Sequence, residues 1–127
     1  MQVWTNNKDR VYAISALYEK YKNVKGEWDI VGGRIDPGSK LLENLKREVM
    51  EETQLEILGE PKLIYAQDII PNPEKHVVRL SYIGDTVGEP ILDTTENTEY
   101  QWLYLTELKN QDNLDVYVKE ILDLGLI

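Results

Sequence analysis

The order of elements legible in this 127-residue sequence predicts an α/β sandwich. Val11 to Leu17 is a run of β-formers, later stretches repeat that character, and two segments switch to helical periodicity. A short strand, Gln2 to Thr5, is expected before Val11. Asp36-Pro37-Gly38 is a turn signal. From Ser39 the pattern is helical, with Leu42, Leu45 and Val49 on one face and Ser39 as the expected N-cap. Leu55–Leu58, Lys62–Asp68 and His76–Ile83 then read as strands, punctuated by Gly59, Pro61 and Pro71-Asn72-Pro73. Gly84 to Asn97 reads as a polar loop, and Tyr100–Leu105 as a last strand. A C-terminal amphipathic helix follows, with Leu114, Tyr117, Val118, Ile121 and Leu122 on one face and Asp112 or Asn113 as its cap.

No repeat, low-complexity tract or Pro/Gly/Ser linker divides the chain, so residues 1–127 are expected to form a single domain. The absence of cysteine excludes disulfide scaffolds, thiolate metal sites and cysteine nucleophiles, and the single histidine, His76, excludes multi-histidine metal sites. No apolar run reaches the roughly 20 residues of a membrane helix. The start, Met-Gln-Val-Trp-Thr-Asn-Asn-Lys, carries no apolar signal core, so a cytoplasmic protein is the expectation. With 23 acids against 14 bases and a net charge of −9, the chain repels polyanions. Nucleic acid polymers and anionic membranes are therefore not expected as partners. A small phosphorylated substrate is allowed where a divalent cation screens the local acids. The sequence sets no oligomeric state, and a homodimer stays open.

The first helix carries the chemistry. At 100° per residue with Leu45 at zero, Leu41, Leu42 and Val49 fall at about −40°, +60° and +40°, which defines the buried stripe. Glu52 then falls near −20°, Glu48 near −60° and Glu51 near −120°. Two carboxylates are directed at the covered side of their own helix, where an ionised acid is costly unless a cation compensates it. Arg47, near 200°, is expected on the opposite side. Three acids at i, i+3 and i+4 can share a hard divalent ion, for which oxygen ligands suit Mg²⁺ or Mn²⁺.

These residues also carry a family resemblance. Gly33-Arg-Ile-Asp-Pro-Gly-Ser39, followed by Arg47-Glu48-Val49-Met50-Glu51-Glu52-Thr53-Gln54-Leu55, resembles the Nudix box, G-x5-E-x7-R-E-U-x-E-E-x-G-U. The lead-in Trp28-Asp-Ile-Val-Gly32-Gly33 resembles the family's W-x-x-P-G-G, with Val31 in place of proline, and Glu99-Tyr-Gln-Trp102 resembles its late acidic-aromatic strand. The resemblance implies an α/β/α sandwich with a mixed β-sheet between helices. It implies Mg²⁺-dependent hydrolysis, with Mn²⁺ as a substitute, of a nucleoside diphosphate linked to another moiety: a nucleoside triphosphate, a nucleotide sugar such as ADP-ribose, or a dinucleotide. Glu48, Glu51, Glu52 and the Gly32 carbonyl would hold the metal. Glu48 would act as base, with Arg47 and Glu52 completing the catalytic set. Arg34 and Arg79 are candidate phosphate partners, and Glu99 or Glu96 the late acid facing the substrate. Trp28, Tyr65, Tyr82 and Trp102 can stack a base or fill the core.

Two positions depart from the box. Ser39 replaces its first glutamate, which in the family helps position the arginine, so Arg47 is expected to pair with Glu43 or Glu51 at i, i+4. Gln54 replaces its glycine, so the helix must either end on a non-glycine residue at positive φ or run slightly longer. Both departures keep open a Nudix-fold module that binds a nucleotide without cleaving it. A plain acidic globular domain, with Glu48 and Glu52 paired internally, is a third reading.

Overall fold

The computed structural model describes residues 2–7, 10–16, 28–88, 91 and 97–127, with side chains within 28–88, 91 and 101–127. Six strands form one mixed sheet. β1 (Gln2–Asn7) turns back antiparallel into β2 (Arg10–Ala16), which also pairs β3 (Trp28–Ile30) at its far end and β6 (Asn97–Tyr104) along its length. β1 lies parallel to β5 (Lys75–Val87), and β5 antiparallel to β4 (Glu56–Asn72). The resulting order is β3-β2-β1-β5-β4, with β6 on β2.

Helices cover both faces. α1 (Leu41–Thr53) packs Leu45 and Val49 onto Val31, Leu55, Ile57 and Tyr82. The short α2 (Leu105–Lys109) and α3 (Val116–Asp123) bury Leu108, Val118, Ile121 and Leu122 against Ile30 and Leu103. Adjacent residues divide between these two clusters: Tyr82 from Ile83 within β5, as the alternation of a pleated strand requires, and Val31, just past β3, from Ile30 at its end. This is the α/β/α sandwich with a mixed sheet that the resemblance implies. Among the described residues no helix is long and apolar enough to cross a membrane.

Several elements differ in extent from expectation. The strands expected at Leu55–Leu58 and Lys62–Asp68 are one 17-residue strand, because the register steps from Leu58↔Asp85 to Lys62↔Ile83. Gly59-Glu60-Pro61 is absorbed there as a bulge opposite Gly84, with Gly59 at φ 66°. β5 continues past Ile83 to Val87, so the expected loop begins later; residues 89–90 and 92–96 of it, and Leu17 of the second expected strand, lie outside the described ones. α2 was not expected, and a five-residue helix is too short to show a period.

Two caps are also corrected. The Ser39 N–H closes the turn on the Asp36 carbonyl at 3.2 Å, and the N-cap of α1 falls one residue later, on Lys40, which makes no side-chain cap bond. α3 is capped by Asp115 rather than by Asp112 or Asn113, its carboxylate accepting from the Tyr117 and Val118 N–H groups at 2.9 and 3.1 Å. Leu114 therefore precedes the helix and makes an isolated bridge with Trp28.

Candidate active site

α1 follows the Gly32-Gly33 segment and the Asp36-Pro37-Gly38 turn, and its buried face holds Asn44, Leu45, Val49, Glu52 and Thr53. Leu41, expected on that stripe, is 42% exposed; it lies in the first turn, outside the α1-face cluster. Glu52 is only 8% exposed, so an acid does occupy the covered side of the helix. Glu48 lies one turn earlier and against Gly33. A Cβ built on Gly33 would overlap the Glu48 carboxyl and stand 2.9 Å from its Cγ. Only glycine leaves that carboxylate its place.

The helix ends where the box predicts, without the box's glycine. Gln54 takes the left-handed conformation at φ 58°, ψ 17°, and its N–H bonds the Met50 carbonyl at 2.9 Å. The Thr53 hydroxyl, bonded to the Val49 carbonyl at 2.7 Å, accepts from the Leu55 N–H at 3.2 Å and steers Leu55 into the core. The positive φ at Gln54 thus retains the family's exit from the helix.

Arg47 pairs with Glu51 at i, i+4, one of the two partners expected for it, and its long side chain also extends to Glu48 and the preceding turn. Nη1 donates to both oxygens of Glu51 at 3.1 and 3.2 Å. Nη2 lies 2.7 Å from Asp36 Oδ2, 2.8 Å from Asn44 Oδ1 and 3.2 Å from Glu48 Oε1. The hydrogen bond to Glu51, foremost, and the neighbouring acids Asp36, Glu51 and Glu48 hold the guanidinium proton more firmly than usual. Asn44 and Asp36 are the residues that sequence reasoning missed. A signal was present, since Asn44 stands one turn before Arg47 and Asp36 sits in the preceding turn.

Among the described residues, no three His, Asp or Glu side chains stand close enough together to enclose a metal ion. Glu48 and Glu51 are both engaged by Arg47, at 3.2 and 3.1 Å. The donor set nonetheless fits a hard divalent cation. Its ligand atoms are carboxylate oxygens on one helix, and Gly33 keeps open the space that a Cβ would take from Glu48.

The remaining candidates scatter. Arg34 is exposed, and its carbonyl accepts from Asn44 Nδ2 at 2.9 Å. Glu99 pairs with Ser15 through the β6 backbone; its side chain, like all of Glu96, lies outside the described residues. Arg79 is buried on the α3 side, with Nη2 2.8 Å from Asp29 Oδ1 and Nη1 3.1 Å from Asp115 Oδ1. Its guanidinium also lies 5.9 Å from the Tyr117 ring centre. Burial raises the Asp29 carboxyl above the usual range and Asp115 adds to that, while Arg79 opposes both. Tyr82 and Trp102 belong to the α1-face core, and Trp28 and Tyr65 pack on the other. His76 makes an exposed contact with Asp68 at 2.6 Å.

A family model described as the NUDIX domain matches residues 3–124. A protein of Bacillus subtilis (strain 168), whose name assigns it 8-oxo-dGTP diphosphatase activity, is 33% identical over 76 residues, 60% of this chain and 49% of that protein. The chain therefore spans about half the length of that curated relative. Among solved structures, the MutT protein from Methanosarcina mazei Go1 has a TM-score of 0.81 at 24% identity, covering 97% of this chain and 88% of that one. A MutT NUDIX hydrolase from Burkholderia pseudomallei has a TM-score of 0.80 at 21% identity, covering 96% and 92%. At these identities the two structures speak for the fold.

Proposed function

The chain belongs to the Nudix family, and from that premise we propose that it hydrolyses the diphosphate linkage of a nucleoside diphosphate joined to another group. The observation that carries this reading is a pair of inward-directed acids on α1: Glu52, buried on the leucine face, and Glu48, seated on Gly33. Carboxylate oxygens gathered on the covered side of one helix are hard donors of the kind that suit a divalent cation.

Glu48, Glu51, Glu52 and the Gly32 carbonyl would hold Mg²⁺, or Mn²⁺ in its place. When bound, such an ion neutralises diphosphate oxygens and lowers the pKa of an attacking water. Glu48 is the proposed base that takes the water's proton. Arg47, at 3.2 Å from Glu48 Oε1, orients that carboxylate, and Gly33 gives it room. Arg34, exposed beside the Gly32-Gly33 segment, would meet a substrate phosphate, and Glu99 on β6 would supply a late acid. Arg79, engaged by Asp29 and Asp115, is better suited to holding β3 to α3 than to meeting substrate.

The name of the Bacillus relative puts an oxidised purine nucleoside triphosphate first among substrates, ahead of nucleotide sugars and dinucleotides. The test is a panel of these three classes with Mg²⁺ or Mn²⁺, reading phosphate or monophosphate release. Metal-dependent release from at least one class is expected. Nucleotide binding without release from any class would favour the non-cleaving module instead.

A further inference from the structure

Arg47 divides its two terminal nitrogens between two sets of acceptors. Nη1 serves Glu51, one helical turn further on, while Nη2 serves Asp36, Asn44 and Glu48. The loop side of this arrangement is fixed from beneath by Asn44, which is fully buried. Its Oδ1 accepts from the Asp36 N–H at 3.0 Å as well as from Arg47, and its Nδ2 donates to the Arg34 carbonyl at 2.9 Å. These partners dictate which end of the amide is oxygen, because an N–H and a guanidinium only donate and a carbonyl only accepts. Asn44 thus pins residues 34–36 to the helix and offers Arg47 an acceptor that cannot swing away.

Glu51 and Asp36 are both largely exposed, and exposed ion pairs are individually weak and easily exchanged. Withdrawing Glu51 would empty Nη1 alone, leaving Nη2 its loop acceptors and its contact with Glu48. We propose that Asp36 and Asn44 are positioning residues that keep Arg47 paired from the loop side, so that Glu51 can leave the guanidinium for a divalent cation. This rests on the reading of α1 as the helix of a metal-dependent hydrolase. Without Asp36, the positive charge of Arg47 is shared chiefly between Glu48 and Glu51, and a cation must compete with it for both. Asp36 and Asn44 also explain how Arg47 stays anchored although Ser39 stands where the box has a glutamate.

The test is a double-mutant cycle on the full chain, with Mn²⁺ alone as probe and free Mn²⁺ read by electron paramagnetic resonance. Wild type, Asp36→Asn, Arg47→Gln and the double variant are compared, with Glu43→Gln as a control for removing one acid from the same helix region. Asp36→Asn is expected to weaken Mn²⁺ binding roughly three- to five-fold beside Arg47, as for coupling through a half-exposed network. It should change binding less than about two-fold in the Arg47→Gln background, and Glu43→Gln should also change it less than about two-fold. Equal weakening in both backgrounds would make Asp36 an ordinary long-range attraction and overturn the inference while leaving the hydrolase reading intact. Wild-type protein that takes up no Mn²⁺ would instead overturn that reading, and the inference with it.

Discussion

On the α3 face Arg79 is 7% exposed and meets two carboxylates, while on α1 Arg47 is 35% exposed and meets three, with the buried Glu52 one turn beyond Glu48. The partners of Arg79 have other fixed duties: Asp115 caps α3, and Asp29 accepts from the Ile30 N–H. Two of the three acids on Arg47 do not, since Glu51 and Asp36 are on the surface and can turn. The same chemical pairing therefore serves two ends. Where two acids meet one buried base, the cluster ties strand to helix. Where three acids meet one half-exposed base, the proposed function asks the cluster to take a cation and reorganise.

Arg79→Met should break this comparison most severely. It leaves two acids without their shared base, so urea unfolding should show a loss of about 3 kcal/mol, the low end for breaking a buried pair. Turnover per folded molecule should barely change. Unchanged stability with a raised KM would return Arg79 to the substrate side. Gly33→Ala sharpens the other half. Its methyl would displace the Glu48 carboxyl, so kcat should fall about ten-fold or more, as misplaced catalytic groups do, with little change in the unfolding midpoint. Gln54→Gly is the smallest effect. Relieving a non-glycine residue at φ 58° should add about 0.5–1 kcal/mol in the same urea assay and leave turnover alone.

The α1 half of the comparison was the legible half. Glu48 and Glu52 point inward by the angular arithmetic of one helix, which depends only on their distance from Leu45 along the chain. The resemblance to the box then named their neighbours. Asn44 was not legible in the same way: it falls about −100° from Leu45, off the stripe. Its burial comes from residues 34–36 folding over it, a contact that no local period encodes. Arg79 is the extreme case, since its acids lie 50 and 36 residues away. An arginine on a strand looks the same in sequence whether it meets phosphate or two carboxylates of its own fold. Ser39 failed for a smaller reason: the Lys40 carbonyl accepts the first helical bond, from the Asn44 N–H at 2.9 Å, so the cap falls one residue later.

On the proposed function, Glu52 is held on the covered face of α1 to bind a cation rather than to support the fold. Glu52→Gln keeps the shape and removes the charge. Its turnover with Mg²⁺ or Mn²⁺, measured alongside metal-free thermal unfolding, tests the claim most directly. Turnover should fall about a hundred-fold or more, the scale of losing one charge-stabilising group, with a melting temperature unchanged or raised once an acid is removed from the Glu48 side of the helix. A variant that turns over substrate at the wild-type rate, or that unfolds readily without metal, would contradict that role for Glu52.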